Sequence, residues 1–385
     1  MKDTLFYKGC FGIERETLRI DSRGRLAMTP HPFGDDEQMT RDFCENQTEL
    51  ITPVCNSVHE AVIKLKELDR KARGILNKNG ESIWLYSNPP HFENEDEIPV
   101  ADFKGEMSGK RVYREALERR YGKRLMLFSG VHFNFSFDDE YLYSISGGRD
   151  LEEFRNDFYL KLYKHLAVNS WLMLLLTAAS PKYDRSLDGD GLAGEVTSEY
   201  ASLRSGERGY WNAFVPLLKF ESLESFTGSI KFYVDKGVLF SASELYLPVR
   251  LKPNGVNSLE SFKNGVSHIE LRMFDLYPEN DAGVNERDLE FAHLFIMYLS
   301  KKKDFEFTDD MQIEAVKNHK RAALYELDGV KISGVPIIEK ANGILSMMRD
   351  MFSDDEAALE IIDYEKEKLR ARENAGEYFR YTPYA

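Results

Sequence analysis

Glu14 and Glu16 stand two residues apart in the run Phe11-Gly12-Ile13-Glu14-Arg15-Glu16-Thr17-Leu18-Arg19-Ile20, and the chemistry open to them depends on the backbone beneath. At the period of a strand, Gly12, Glu14, Glu16, Leu18 and Ile20 share one face, and Phe11, Ile13, Arg15, Thr17 and Arg19 the other. The two carboxylates are then roughly 6–7 Å apart. Like charges at that distance repel unless positive charge lies beside them. Divalent cations are one source, since hard cations such as Mg²⁺ take carboxylate oxygens. The other is a solvated strand face on which Arg15 or Arg19 neutralises the glutamates, and this stretch alone leaves both open.

Acid recurs on two further strands. Asp42 to Pro53 alternates so that Glu45, Gln47, Glu49 and Ile51 share a face, and Pro53 ends it. In Ile269–Asp275, Glu270, Arg272 and Phe274 point one way and Ile269, Leu271, Met273 and Asp275 the other. Arg272 is suited either to a phosphate or to a salt bridge along its own face. Three separated strands that each bring acid to a sheet face point jointly to a metal–phosphate site, because such charges rarely survive burial unpaired.

Two neutral or basic stretches join them. Ser129–Phe135 sets His132 and Asn134 on one face beside aromatics, where the histidine is either a satisfied core residue or a phosphate donor or metal ligand. Ser202–Tyr210 combines Arg204, Arg208, two glycines and Tyr210, either an exposed turn or a basic loop able to clamp a small carboxylate bidentately. The run from Asp184 to Glu195 has the spacing of a calcium loop, but Gly191 occupies its apolar eighth place, Pro181 crowds its entry and no helix is predicted after it, so it reads as a mobile loop. There is no GxxxxGK[ST] loop, no GxGxxG after a strand, no HExxH and no GxSxG. A nucleotide would therefore bind a sheet face through metal and arginine.

The elements that must hold these residues are legible in outline. Ser57 and Glu60 form a capping box opening a helix to about residue 77. After a turn at residues 21–24 a second strand is expected, then a loop over 29–36, and 89–105 also reads as loop. Residues 113–121 read as helix and 125–136 as a buried strand; 151–179 is a long helix, apolar from Trp171, and 180–195 is loop. Strands are expected at 229–234, 243–251 and 267–274, and helices at 285–300, 308–325, 336–351 and 354–375. Strands gather in the first two thirds and helices in the last, without βαβα alternation. This favours an α+β architecture with a mostly antiparallel sheet. No linker-like tract interrupts residues 1–385, so a single domain with a helical C-terminal third (about 285–385) is expected.

Composition narrows the function. With 385 residues, 42% hydrophobic and 12% aromatic, the chain can bury a substantial core. A net charge of -14 disfavours a nucleic-acid partner, which needs basic surface, but not an anionic substrate at a metal-loaded site. The N-terminus has no apolar signal core, the longest apolar run is too short for a bilayer, and three cysteines without a CxxC pair suit a reducing compartment. A cytoplasmic location is expected, with no membrane partner and a monomer as a workable state.

Phe11–Ile20, Asp42–Pro53, Tyr113-Arg114-Glu115, Ser129–Phe135, Ser202–Tyr210, Tyr246–Arg250 and Ile269–Asp275 occur in this order. The ordered set, over roughly residues 9–300, resembles the bacterial glutamate–cysteine ligase (γ-glutamylcysteine synthetase) family, including the ligase half of bifunctional glutathione synthetases. The resemblance implies a glutamine-synthetase-like fold, a curved antiparallel sheet flanked by helices around a funnel-shaped site. It implies an ATP-dependent ligase of glutathione biosynthesis that joins the glutamate γ-carboxylate to cysteine through γ-glutamyl phosphate, with Mg²⁺ (or Mn²⁺) and ATP as co-substrate. The matching metal positions are Glu14, Glu16, Asp42, Glu49, His132 and Glu270; Arg272, Glu270 and Arg204 carry catalysis, and Arg272 and His132 face the nucleotide phosphates. Arg114 and Arg204 match the glutamate site, and Phe43, Tyr113, Met126, Tyr210 and Tyr246 the acceptor pocket. The chain departs from the family at Met126, where glutamine is usual, at His132-Phe133-Asn134, where His-Tyr-Asn is common, and at the more polar Asn46-Gln47-Thr48. The chain is also shorter than many standalone family members. A missing pocket amide suggests an acceptor more apolar than cysteine, or differently shaped. A γ-glutamyl ligase for another amine and a catalytically silent nucleotide-binding relative are the alternative readings.

Overall fold

The computed structural model describes residues 5–105, 108–190 and 192–373. Its centre is a seven-stranded sheet built from β1 (Gly9–Ile20), β2 (Met39–Thr40), β3 (Gln47–Ile51), β4 (Ser82–Trp84), β5 (Val131–Phe137), β8 (Val249–Pro253) and β9 (Val266–Phe274). The order is β2-β3-β1-β5-β9-β8, with β4 also on β1, and every pairing is antiparallel. Two small hairpins lie outside it, β6 (Lys182–Asp184) with β7 (Glu195–Thr197) and β10 (Lys331–Ile332) with β11 (Val335–Pro336). The helices are α1 (Val58–Leu76), α2 (Ser108–Tyr121), α3 (Asp139–Ile145), α4 (Leu151–Thr177), α5 (Leu223–Asp235), α6 (Glu286–Ser300), α7 (Asp309–Ala322), α8 (Ile337–Met351) and α9 (Glu356–Glu373). No helix among the described residues is long and apolar enough to cross a membrane.

Strand alternation divides the sheet into two chemically distinct faces. Phe11 and Ile13 of β1, Phe133 and Phe135 of β5, Ile269 and Leu271 of β9 and Leu251 of β8 are buried in one core. Helix α1 packs on β1, while α4 packs on β8 and β9. Helix α4 also packs against α6, α7 and α9, which is why it is apolar on all sides from Trp171 onward. Its start is fixed by Asp150, which accepts from the Glu153 amide at 2.9 Å. Ser57 likewise accepts from the Glu60 amide at 3.1 Å, and Glu60 returns a bond from the Asn56 amide at 2.8 Å.

Several expectations are corrected. Residues 229–234 belong to α5 rather than to a strand: Ser222 caps the helix through the Ser225 amide at 3.1 Å, and Phe226 and Ile230 bury one face at helical spacing. Short apolar runs fit either period, and here the upstream cap decides. The expected strand at 125–136 opens with a 3-10 turn (Arg124–Leu127), and β5 begins only at Val131. The 243–251 strand is cut to Val249–Pro253, and the strand after residue 24 reduces to a single bridge between Ile20 and Leu26. A turn before β3 removes Glu45 from the strand face; its carboxylate pairs with Arg41 at 3.0 Å. The 180–195 loop is the β6–β7 hairpin, whose acids have protein partners: Glu195 takes Lys182, Asp188 takes Arg208 and Asp184 accepts from Ser186 and Gly194 amides. Gly191 lies outside the described residues, as do residues 374–375 at the end of the last expected helix.

His293 of α6 supplies a test of this packing. Its ring lies edge-on to Phe11 at 4.9 Å and 4.8 Å from Phe135, and burial pushes its pKa down to about 4. The unfolded chain takes up this proton near pH 6.5 and the folded chain does not, so the contribution is intact above pH 6.5 and is lost as pH falls toward 4. Between pH 7 and pH 4.5 the melting temperature of the wild type should fall more steeply than that of His293→Leu; parallel curves would refute this assignment.

Candidate functional site

The polar face of the sheet collects its groups by register. Glu16 of β1 lies opposite Glu49 of β3, and Glu14 lies opposite His132 of β5. Asn134 of β5 lies opposite Glu270 of β9, which in turn faces Arg250 of β8. Cross-strand partners share a face, so one polar row crosses the sheet. Ligand atoms of Glu14, His132 and Glu270 all lie within 4.8 Å of one another. His132 Nδ1 is 3.4 Å from Glu14 Oε2 and 3.5 Å from Glu270 Oε1, and its Nε2 is 3.7 Å from Glu16. Asn134 donates to Glu14 at 3.2 Å and orients it.

The two ends of the row differ in charge. Burial alone would raise the Glu270 carboxyl, but Lys252, Arg272 and Arg250 outweigh it and hold it well below the ordinary range. Its Oε1 is 3.0 Å from Arg272 and 3.2 Å from Lys252. At the other end burial, Asp42, Glu14 and Glu16 together push the Glu49 carboxyl well above its ordinary value. Burial also raises Glu16, against the pull of His132. Arg15 and Arg19 do not neutralise these acids. They lie fully buried on the opposite face, where Arg15 pairs with Asp69 at 2.6 Å and Arg19 with Glu81 at 2.5 Å.

A divalent cation fits this cluster. Glu270 Oε2 and His132 Nε2 are both buried without a hydrogen-bond partner, and two carboxylates with one imidazole form a donor set for Mg²⁺ or Mn²⁺. Glu16 borders this three-residue group, and Glu49 and Asp42 lie outside it, Asp42 raising both the Glu16 and the Glu49 carboxyls by its charge.

The remaining sites predicted from sequence lie around this row. Arg204, Tyr210, Tyr246 and Arg272 line one cavity. Glu49 and Arg114 line another cleft; Arg114 is bound to Asp42 at 3.0 Å and lies over the Phe103 ring. Phe43, Met126 and Tyr246 are buried in one apolar cluster, against which Tyr113 and Tyr210 pack. The Gln47 amide beside it is committed, donating to the Met126 carbonyl at 2.9 Å and accepting from the Phe43 amide at 2.6 Å.

Sequence reasoning missed Lys252 and Asp275. Lys252 sits on no motif, and only the β8–β9 register brings it to Glu270. Asp275, assigned to the opposite face of β9, accepts from the Ala179 amide (2.9 Å), Ser180 (2.7 Å) and Ser202 (3.0 Å), and so ties down the loop that carries Arg204. Gly130 makes room for that arginine: a Cβ there would lie 2.6 Å from the Arg204 guanidinium carbon.

The glutamate-cysteine ligase family model matches residues 1–237 and 216–322. The chain is similar to the glutathione biosynthesis bifunctional protein of Clostridium perfringens, at 35% identity over 392 residues that cover 94% of this chain and 50% of that protein. It is similar to the glutamate–cysteine ligase of Clostridium acetobutylicum, at 30% identity over 378 residues, 84% of this chain and 78% of the relative. The crystal structure of a bifunctional glutathione synthetase from Pasteurella multocida matches with a TM-score of 0.82 at 26% identity, over 97% of this chain and 50% of the other. The chain thus spans about half the length of the bifunctional relatives it matches.

Two tests follow from the geometry. Because burial and neighbouring acids raise the Glu49 and Glu16 carboxyls above their ordinary values, loading the cluster with Mn²⁺ should strengthen as pH rises. Calorimetry across a series of pH values reads the affinity; a Mn²⁺ affinity that does not change with pH would refute the coupling. Gly130→Ala should displace the flexible end of Arg204 rather than unfold the protein. The melting temperature should change by no more than about 2 °C, while any protection the wild type gains from added glutamate, the carboxylate that the family resemblance implies, should fall to the level of Arg204→Ala; protection equal to wild type would detach Gly130 from the placing of Arg204.

Proposed function

The chain belongs to the glutamate–cysteine ligase family, and from that premise we propose that it is an ATP-dependent carboxylate–amine ligase forming γ-glutamylcysteine. The observation that carries this reading is the convergence of Glu14, His132 and Glu270, drawn from three strands, beside Arg272. Clustered buried acids are costly without a ligand to balance them, which favours an active site over a silent relative.

In this reading the γ-carboxylate of glutamate attacks the terminal phosphorus of ATP, the bond to ADP breaks, and an acyl phosphate results. The amine of the acceptor then attacks the acyl carbon, loses a proton, and expels phosphate to leave the amide. A divalent cation held by Glu14, His132 and Glu270 would screen the charge of the phosphates. Arg272 is anchored by Glu270 at 3.0 Å and His132 at 3.3 Å, so its guanidinium is oriented before substrate arrives, as electrostatic catalysis of phosphoryl transfer requires. Arg204 is buried, and among the described residues its guanidinium donates one hydrogen bond, to the Arg272 carbonyl at 2.9 Å, which leaves donors for the substrate carboxylate. The aromatic cluster around Phe43, Tyr113, Tyr210 and Tyr246 excludes water from the acyl phosphate, which would otherwise hydrolyse.

A second acceptor is favoured by one feature. Met126 is 2% exposed inside that cluster and the Gln47 amide beside it is committed to backbone groups, so the pocket suits an amine with an apolar side chain as well as it suits cysteine.

The test is ADP release by the purified chain with Mg²⁺, ATP, glutamate and a panel of amines. Turnover with cysteine is expected, and turnover only with another amine would move the acceptor to the second reading. Glu270→Gln should lower the rate by about 100-fold or more with the melting temperature retained. Absence of ADP release with every amine would end the ligase reading.

A further inference from the structure

Lys252 is a cation of the polar row to which the proposed reaction assigns no role. It lies on β8 in register with His268 and on the same face as Arg250. Its side chain is 12% exposed, and its ammonium is 3.2 Å from Glu270 Oε1, an oxygen that Arg272 already holds at 3.0 Å. Arg250 completes a cationic rim around one carboxylate, with its Nε 4.0 Å from Glu270 Oε2.

These three cations differ in their freedom to move. The Arg250 guanidinium is pinned by the carbonyls of Ser243 at 3.0 Å and Leu245 at 2.8 Å. Arg272 is held by both Glu270 and His132. Among the described residues Lys252 has Glu270 as its ion-pair partner and no backbone tether, and its four-carbon stem lets the ammonium swing by several ångströms.

Glu270 Oε1 belongs to the same carboxylate that, with Glu14 and His132, forms the candidate cation cluster. A divalent cation taking that carboxylate would stand a few ångströms from the Lys252 ammonium, and like charges that close are tolerated only with an anion between them. We propose that Lys252 is a phosphate-binding residue of the nucleotide site, held by Glu270 until a divalent cation takes over the carboxylate and then released to the polyphosphate of the nucleotide. This rests on the ligase reading above. It makes metal and nucleotide mutually reinforcing ligands, because metal binding frees the ammonium and a bound phosphate removes its repulsion of the metal.

The experiment compares wild type, Lys252→Met and Lys252→Arg as full chains, with Mn²⁺ alone and then inorganic triphosphate in the absence and presence of Mn²⁺, all by calorimetry. Lys252→Met should bind Mn²⁺ at least as tightly as wild type, since a competitor for Glu270 is gone. It should lose about tenfold or more of the Mn²⁺-dependent triphosphate affinity, the scale of one charge-assisted contact. Lys252→Arg should keep that affinity to within about threefold. Lys252→Gln is read in the same way should the methionine variant not fold. Unchanged triphosphate affinity in Lys252→Met would overturn the proposal, as would a loss of Mn²⁺ affinity, the signature of a lysine that merely props Glu270. Those outcomes leave the ligase reading standing; a wild type that binds no triphosphate in the presence of Mn²⁺ would remove both.

Discussion

Carboxylates on one sheet face repel, and the way this chain balances Glu14, Glu16, Glu49 and Glu270 organises the site around them. Burying an ionised carboxylate costs several kcal/mol unless a counter-charge accompanies it. At the β8–β9 end that counter-charge is built in, as Lys252, Arg250 and Arg272 surround Glu270. At the β1–β3 end Glu16 and Glu49 face each other across the ladder, where burial and neighbouring acids raise both carboxyls above their ordinary values. The row is therefore rich in cations at one edge and in acids at the other. A polyanion carrying its own divalent cation would match a row that holds both signs, Glu270 lying where the two meet.

The two-residue period of β1 is what makes such a division possible. Glu14 and Glu16 go to the polar face, whereas Arg15 and Arg19 go to the helix-covered face and bond Asp69 and Glu81. Neighbours in sequence thus carry opposite charges without neutralising one another. A slip of one residue would exchange the two sets and leave both unpaired. The buried ion pairs on the far side add a penalty for any other register, since Arg15 would lose Asp69 and Arg19 would lose Glu81 while remaining buried.

How much of this could be seen beforehand follows from which signals are local. The alternation of β1 and β9 and the caps of α1 and α4 are set by neighbours in sequence, so the antiparallel sheet and the C-terminal helices were legible. The run 229–234 was not, because its apolar spacing fits a strand and only Ser222 and Phe226, outside the run, place it in a helix. Glu45 was misplaced because a turn interrupts the alternation before Gln47. On the polar face Glu14, His132 and Glu270 could be assigned one by one to strand faces, but their convergence depends on which strands are adjacent, and that is a property of the pairing. Lys252 shows the limit most clearly: nothing near it in sequence sets it apart, and its meaning comes from the neighbouring strand.

The loop that carries Arg204 extends the same reasoning from charge to position. Asp275 gathers three donors, from Ala179 and Ser180 after α4 and from Ser202, so its oxygens are committed and it serves to hold the loop. That hold brings Arg204 over Gly130, where no side chain could coexist with the guanidinium. Burial disfavours the charge on Arg204, and the carboxylates acting on it, Glu16 and Asp275, only partly offset this. An arginine kept buried at this expense shares a cavity with Arg272, Tyr210 and Tyr246, and among the described residues its guanidinium has one hydrogen-bond acceptor, the Arg272 carbonyl, so donors are left for an anion from outside the chain. The planar fork of a guanidinium fits a carboxylate. In the proposed reaction that anion is the carboxylate substrate, and Arg272, lining the same cavity, is the group proposed to meet the phosphates.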